Sequence, residues 1–317
     1  MEINLIPRAR RLVERLGGLP FSAWPHEILD ASRRIASPPP PALPENFRRL
    51  PHDAETIARD VDYAVFNAQA YRGFLEQAGD TLDGAWLLEL GPGRNFGVML
   101  TLACMGARVA VADRFLAPWE DDYHGRFYAA LRQRIDRESI GQSLAPLDAV
   151  IAARDYPSAV LMRTTAGGED LSAFSDGQFD AVFSNAVFEH VRDHARVFAE
   201  LWRLTRPGGY GSHQVDFRDH RALERPLELL LLAPKRYRRT FDEYFGECGC
   251  QLRPREMSQL FECAGFHLLT QERPRQVDEA YFAGFLPRLR ASRSAYREWP
   301  AEALRDLEVR YVVRKPS

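Results

Sequence analysis

The sequence predicts a doubly wound α/β fold, a mostly parallel sheet covered by helices, and three observations carry that prediction. Short apolar runs alternate with helical patterns along most of the chain. One run, Trp86–Leu90, passes into a glycine-rich turn that opens a helix, the place where such sheets bind ligands. The next run ends on an acid, Asp113, about 20 residues beyond that turn.

Strands are expected at Trp86–Leu90, Arg108–Ala112, Ala159–Met162, Phe179–Ser184 and Gly211–Phe217, then near Phe266–Gln271 and Leu307–Arg314. Helical patterns occupy the stretch from Asp53 to Gln77, then Phe96–Met105, Pro118–Arg137, Arg192–Leu204 and Pro254–Ala264. Residues 221–250 and 278–306 read as mostly helical and belong to no β-α unit, so they are expected to cap a substrate site. Residues 1–36 read as an amphipathic helix in which Arg8, Arg10, Arg11 and Arg15 alternate with Ile6, Leu12, Val13 and Leu16. The run Pro38–Pro41 is a stiff extended spacer. The expected organisation is therefore a helical extension with spacer over 1–50 and one α/β domain over 51–317.

Composition narrows the function classes. A hydrophobic fraction of 45% and a charged fraction of 27% are ordinary for a globular protein. The formal net charge of -2 supplies no global positive field to attract nucleic acid or an anionic membrane. Lysine occurs only at Lys235 and Lys315, an arginine dominance that reads as GC-rich bacterial coding. No apolar run approaches the roughly 20 residues of a membrane helix. The four cysteines are sparse and irregular, which suggests a reducing cytoplasm. Cys248, Cys250, Cys263 and His267 lack the paired knuckles of a structural zinc fold and read better as packed thiols.

In Glu89-Leu-Gly-Pro-Gly-Arg-Asn-Phe-Gly97, Gly91 and Gly93, with Pro92 between them, allow a tight turn and a close approach of ligand to backbone. The helix that follows offers free N–H groups to a carboxylate. A dinucleotide fingerprint would need glycine where Phe96 stands, and Glu89 suits a cationic ligand better than a pyrophosphate. Asp113 is placed to accept hydrogen bonds from ribose hydroxyls, which serves either kind of nucleoside cofactor.

The order ELGPG, Asp113, FDAVFSNAVFEHV (179–191), LTRPGGY (204–210) and LFECAGF (260–266) resembles the class I S-adenosylmethionine-dependent methyltransferases over about residues 84–317. The resemblance implies a Rossmann-like sheet of seven strands whose last strand runs antiparallel. It implies S-adenosyl-L-methionine as cofactor, with Glu89, Gly91, Pro92 and Gly93 bordering its methionine part and Asp113 on the ribose. Arg114 and Phe115 would lie beside the adenine, with Glu169 and Asp170 near its amino group, although one inserted residue shifts that acid from its usual place. Ser184 and Asn185 would face the methyl group. Pro207, Gly208 and Gly209 are assigned to a turn that admits the next strand.

Methyl transfer from a sulfonium needs a base only when the acceptor must lose a proton. His190, in VFEHV, falls where the family lines its acceptor pocket, and the run Ser212–His220 brings Asp216, Asp219 and His220 to one strand end. The expected catalytic groups are His190, Asp216 and His220. Similar SH-x-hydrophobic-D-x-x-DH runs occur in methyltransferases of sugar and secondary metabolism. Against this stand plainer readings: Asp219 caps a helix, and His213 is a satisfied core residue. A metal on Asp216, Asp219 and His220 is a minor alternative. The expected function is O-methylation of a small molecule in the cytoplasm, without nucleic acid or membrane insertion, and with homo-oligomerisation left open. A non-catalytic or regulatory member and a nucleic-acid methyltransferase are the alternatives, although no Asn-Pro-Pro-Tyr or Pro-Cys run is present.

Overall fold

The computed structural model describes residues 53–317. The expected N-terminal helix and proline spacer lie outside the described residues. Within them, backbone contacts define two compact units, one of residues 53–184 with 204–212 and one of residues 185–203 with 213–317.

The first unit opens with α1 (Ala54–Gln77), capped by Asp53, whose carboxylate accepts from the Thr56 N–H at 2.8 Å. Ile57, Val61, Ala64, Val65, Ala68, Tyr71 and Leu75 recur at helical spacing and are all buried. Then come β1 (Trp86–Leu90), α2 (Gly97–Cys104) and β2 (Arg108–Ala112). A π-helical turn at Asp121–Gly125 leads into α3 (Arg126–Arg137), followed by α4 (Ala145–Ala153) and β3 (Leu161–Thr164). Helix α2 is buried on every side, so its packing is tight: a Cβ on Gly97 would stand 2.6 Å from the Phe127 ring and 2.9 Å from Ala64. The Tyr71 ring stacks on Phe183 at 3.9 Å between centroids.

Beyond these lie β4 (Phe179–Asn185), α5 (His194–Leu204), β5 (Thr205–Asp216), α6 (Pro234–Glu243), α7 (Pro254–Ala264), β6 (His267–Gln276), α8 (Glu279–Arg290) and β7 (Asp306–Arg314). The seven strands form one sheet in the order β3-β2-β1-β4-β5-β7-β6. The pairs β1–β2, β2–β3 and β1–β4 are parallel and β6–β7 is antiparallel, as expected for the last strand. Edge strand β6 is mostly exposed, contains Pro274, and shifts register against β7 three times.

In the second unit the two segments outside the β-α pattern pack on each other. Leu227 and Leu230 from the first join Phe282, Phe285, Leu289 and Leu304 from the second in one buried cluster. Glu228 ties them further, accepting from Tyr281 and Arg288.

Several boundaries differ from expectation. Strand β3 starts two residues late because Val160 and Leu161 donate backward to the Pro157 carbonyl in a turn. The expected helix from Pro118 starts as the π turn at Asp121, since the Glu120 N–H is taken by His124 Nδ1 at 2.8 Å. Strand β5 begins at Thr205, so Pro207, Gly208 and Gly209 belong to the strand and not to a turn before it. Gly208 has φ 76°, and a Cβ on Gly209 would sit 2.8 Å from the Asp180 carbonyl oxygen, so the strand bends there without breaking. Strand β6 runs five residues past its expected end, along a polar edge that periodicity reads poorly. Helix α4 was not expected at all. Residues 221–250 hold only α6 and a short 3-10 turn at Glu228–Leu231.

Candidate functional site

The first unit carries a glycine turn, a candidate ligand seat, at the ends of β1 and β2. Gly91 and Gly93 have φ 64° and 73°, the left-handed region that favours glycine, and the Gly91 N–H donates to the Ala112 carbonyl at 2.9 Å. A Cβ built on Gly93 would meet no atom within 4 Å, so the face it would occupy is open. Glu89 lies beneath at 3% exposure, with its Oε2 accepting no hydrogen bond. Burial pushes its carboxyl up to about 8. An acid held in this state is relieved by a cation.

The loop is braced from a direction that sequence reasoning missed. His124, kept neutral by burial, donates from Nε2 to the Arg94 carbonyl at 2.9 Å and accepts the Glu120 N–H at Nδ1. Asn95 accepts the Gly97 N–H and donates to the Tyr123 hydroxyl, which donates to Asp60 at 2.6 Å. The Phe96 N–H donates to the Tyr128 hydroxyl, which bonds to Tyr156 at 3.0 Å. The N–H groups of Phe96 and Gly97 are thus both held by fixed partners.

Asp113, at the end of β2, accepts the Phe115 N–H at 2.8 Å, a local turn that holds its carboxylate at the strand end. Arg114 and Glu169 converge on Gly167: a Cβ there would stand 2.7 Å from Arg114 Cγ and 3.0 Å from Glu169 Oε2. Asp170 donates its N–H to the Gly167 carbonyl. Ser184 is buried and pairs with Leu90, so it ends level with the glycine turn. Asn185 closes β4 and precedes Ala186, a non-glycine residue at φ 52°.

The sheet order, the antiparallel last strand and the open glycine seat over a buried acid describe one fold family. Residues 124–212 match a protein-family model described as a methyltransferase domain. The match spans that stretch, within a sheet of seven strands that has the Rossmann-like methyltransferase fold. Among curated proteins no significant match exists. Among solved structures the chain is similar to an S-adenosylmethionine dependent methyltransferase from Mesorhizobium loti, at 16% identity over 77% of this chain and 96% of the other, TM-score 0.43. It is also similar to phosphoethanolamine N-methyltransferase 2 from Haemonchus contortus, at 15% identity over 77% of this chain and 51% of the other, TM-score 0.43. The residues of the seat fit the cofactor: an unpaired buried acid for its positive charge and an open glycine face for its backbone contacts.

The second unit carries His190, Asp216 and His220, the groups expected to be catalytic, together. The His190 and His220 rings lie 5.2 Å apart between centroids. His190 Nδ1 is 3.0 Å from the Gly246 carbonyl, so that nitrogen carries the proton and the lone pair falls on Nε2. His220 Nε2 is 3.5 Å from Asp216 Oδ2, longer than a good hydrogen bond. Burial alone would raise the Asp216 carboxyl, but His220 and the clamping Arg218 guanidinium hold it well below the usual range.

Two residues behave otherwise than expected. Asp219 does not join the cluster: it is buried and accepts from the Arg221 backbone N–H, Nε and Nη2, with no helix to cap. Glu189, unnoticed in the sequence, does join, accepting the Asp216 N–H at 3.2 Å. It is fully buried, and burial beside Asp216 lifts its carboxyl well above the usual range. His213 is the core residue it was read as, between Phe188 and Phe261 and pushed down to about 3 by burial. The four cysteines are buried free thiols, and none belongs to a group of metal-capable side chains among the described residues. No helix among the described residues is long and apolar enough to cross a membrane.

Because Glu89 is neutral below about pH 8 and a cationic ligand prefers its ionised form, cofactor affinity should rise with pH between 6 and 8, by up to about tenfold per unit. Calorimetry at several pH values checks this, and Glu89→Gln should flatten the profile. An unchanged slope in that variant would remove Glu89 from the seat.

Proposed function

We propose that the methyltransferase acts on a hydroxyl group of a small molecule. The observation that supports this is the pair of imidazoles, one with its tautomer set by a backbone carbonyl, beside a carboxylate. An N- or S-nucleophile that is already neutral needs no such acceptor, whereas a hydroxyl must lose its proton as the new bond forms. Bound S-adenosylmethionine supplies a methyl group on a positively charged sulfur.

In this reading Glu89 meets the positive end of the cofactor, Gly91, Pro92 and Gly93 admit it to the backbone, and Asp113 holds the ribose. Arg114, Glu169 and Asp170 border the base, while Ser184 and Asn185 border the methionine end. His190 takes the hydroxyl proton at Nε2, and Asp216 with His220 receives the acceptor oxygen. The packed segments 221–250 and 278–306 form the cap that selects the acceptor.

Incubating the enzyme with S-adenosylmethionine and a panel of hydroxyl, amine and thiol compounds, read by a mass gain of one methylene, tests the reading. Methylation confined to amines would refute it. His190→Gln should lower turnover by roughly a hundredfold with cofactor affinity retained, measured by steady-state kinetics beside calorimetry. Equal loss of both would assign His190 a structural role.

A further inference from the structure

We propose that Glu189, Asp216 and His220 form a binding site for one divalent ion of a first-row transition metal. Each offers a ligand atom, and these atoms all lie within 4.8 Å of one another, the one such group among the described residues. Acidic side chains alone would not make a site. Here Glu189 Oε2 is buried and lacks any hydrogen-bond partner, and His220 Nε2 has only the long 3.5 Å approach to Asp216 Oδ2. Glu189 is fully enclosed, its Oε1 already used by the Asp216 N–H, so Oε2 is the atom left to a ligand. Buried polar atoms are rarely left unpaired, so Glu189 Oε2 calls for a partner.

Charge points the same way. Arg218 clamps Asp216 through Nε and Nη2 and balances one carboxylate. Glu189 adds a second acid at the same spot. A cation between Glu189, Asp216 and His220 would give the enclosed Glu189 Oε2 the partner it lacks and bind it in its ionised form.

One imidazole and two carboxylates suit manganese, iron or zinc, whereas magnesium and calcium favour all-oxygen shells. Arg218 would serve as the outer-shell group that aims the Asp216 carboxylate. Three protein ligands leave coordination positions for an incoming oxygen. Use of the ion to polarise an acceptor hydroxyl rests on the proposed acceptor class; the binding itself does not.

The test is titration of chelator-stripped, full-length protein with Mn²⁺, following the loss of the free-ion signal by electron paramagnetic resonance. One Mn²⁺ per chain is expected, displaced by Zn²⁺ and not by equal Mg²⁺. Outer-shell partners already matter roughly 10–100-fold for metal affinity, so Glu189→Gln and His220→Ala should each weaken binding by at least about a hundredfold. Retained S-adenosylmethionine affinity in both variants shows that they are folded. Absence of saturable Mn²⁺ binding by the parent, or binding unaltered in both variants, overturns the proposal. Methylation of amines alone would sink the hydroxyl reading while leaving this titration to stand or fall by itself.

Discussion

The Gly93→Arg enzyme is expected to lose about a thousandfold or more in S-adenosylmethionine affinity while its melting temperature falls by only a few degrees. A side chain at φ 73° costs about 1 kcal/mol in backbone strain, which the fold tolerates. The new Cβ touches nothing of the protein within 4 Å, so the penalty falls on whatever occupies the open face. The guanidinium also brings positive charge to a seat that Glu89 equips for a cation. Gly97 makes the contrast: a methyl there strikes Phe127 and Ala64, so Gly97→Ala should harm stability first. Calorimetry with the cofactor and its demethylated product, beside a thermal melt, separates the two. Retained affinity in Gly93→Arg would place the cofactor elsewhere.

The second large effect is expected at Arg253, among the bulkiest fully buried side chains of the described residues. Its Nη1 donates to the Phe217 carbonyl at 3.0 Å, and Nη2 donates to the carbonyls of Leu304 and Asp306. The guanidinium faces the Phe217 ring at 5.3 Å. Its backbone N–H reaches Glu256, which burial pushes up to about 7 and which also accepts from Tyr296. One side chain thus joins the exit of β5, the start of α7 and the entry to β7. Arg253→Met leaves three carbonyls without donors and should cost about 4 kcal/mol, a fall of roughly 10 °C in melting temperature. Arg253→Lys keeps the charge and loses the fork, so it should recover only part of that. A shift of under about 1 kcal/mol in Arg253→Met, by urea titration, would show that other groups hold this junction.

Strands β1 and β2 are legible to the residue because each is a buried apolar run with its ends marked by polar or glycine neighbours. Helix α7 is equally plain, entered through Pro254 and stopped by Gly265 at φ 105°. Glu189 was invisible for the opposite reason. It stands inside an apolar stretch, and its partner is a backbone N–H 27 residues onward, which no local pattern reports. The tyrosine brace behind the glycine loop is hidden likewise, since Asn95 and Tyr123 meet only through tertiary packing. A signal did exist for Asp219. In Asp-Phe-Arg-Asp-His-Arg each aspartate precedes an arginine by two residues, and the structure closes both pairs, Asp216 with Arg218 and Asp219 with Arg221. Only the pair whose aspartate also approaches His220 enters the candidate site.

The outer border formed by β6 bears on solubility. Its three register shifts and Pro274 break the evenly spaced row of donors and acceptors that a foreign strand would need as a template. Glu272, Arg273 and Arg275 add charge along the same exposed stretch. A sheet with a smooth apolar margin would invite copies of itself to join side by side; the broken, charged margin of β6 offers a poor template for such stacking.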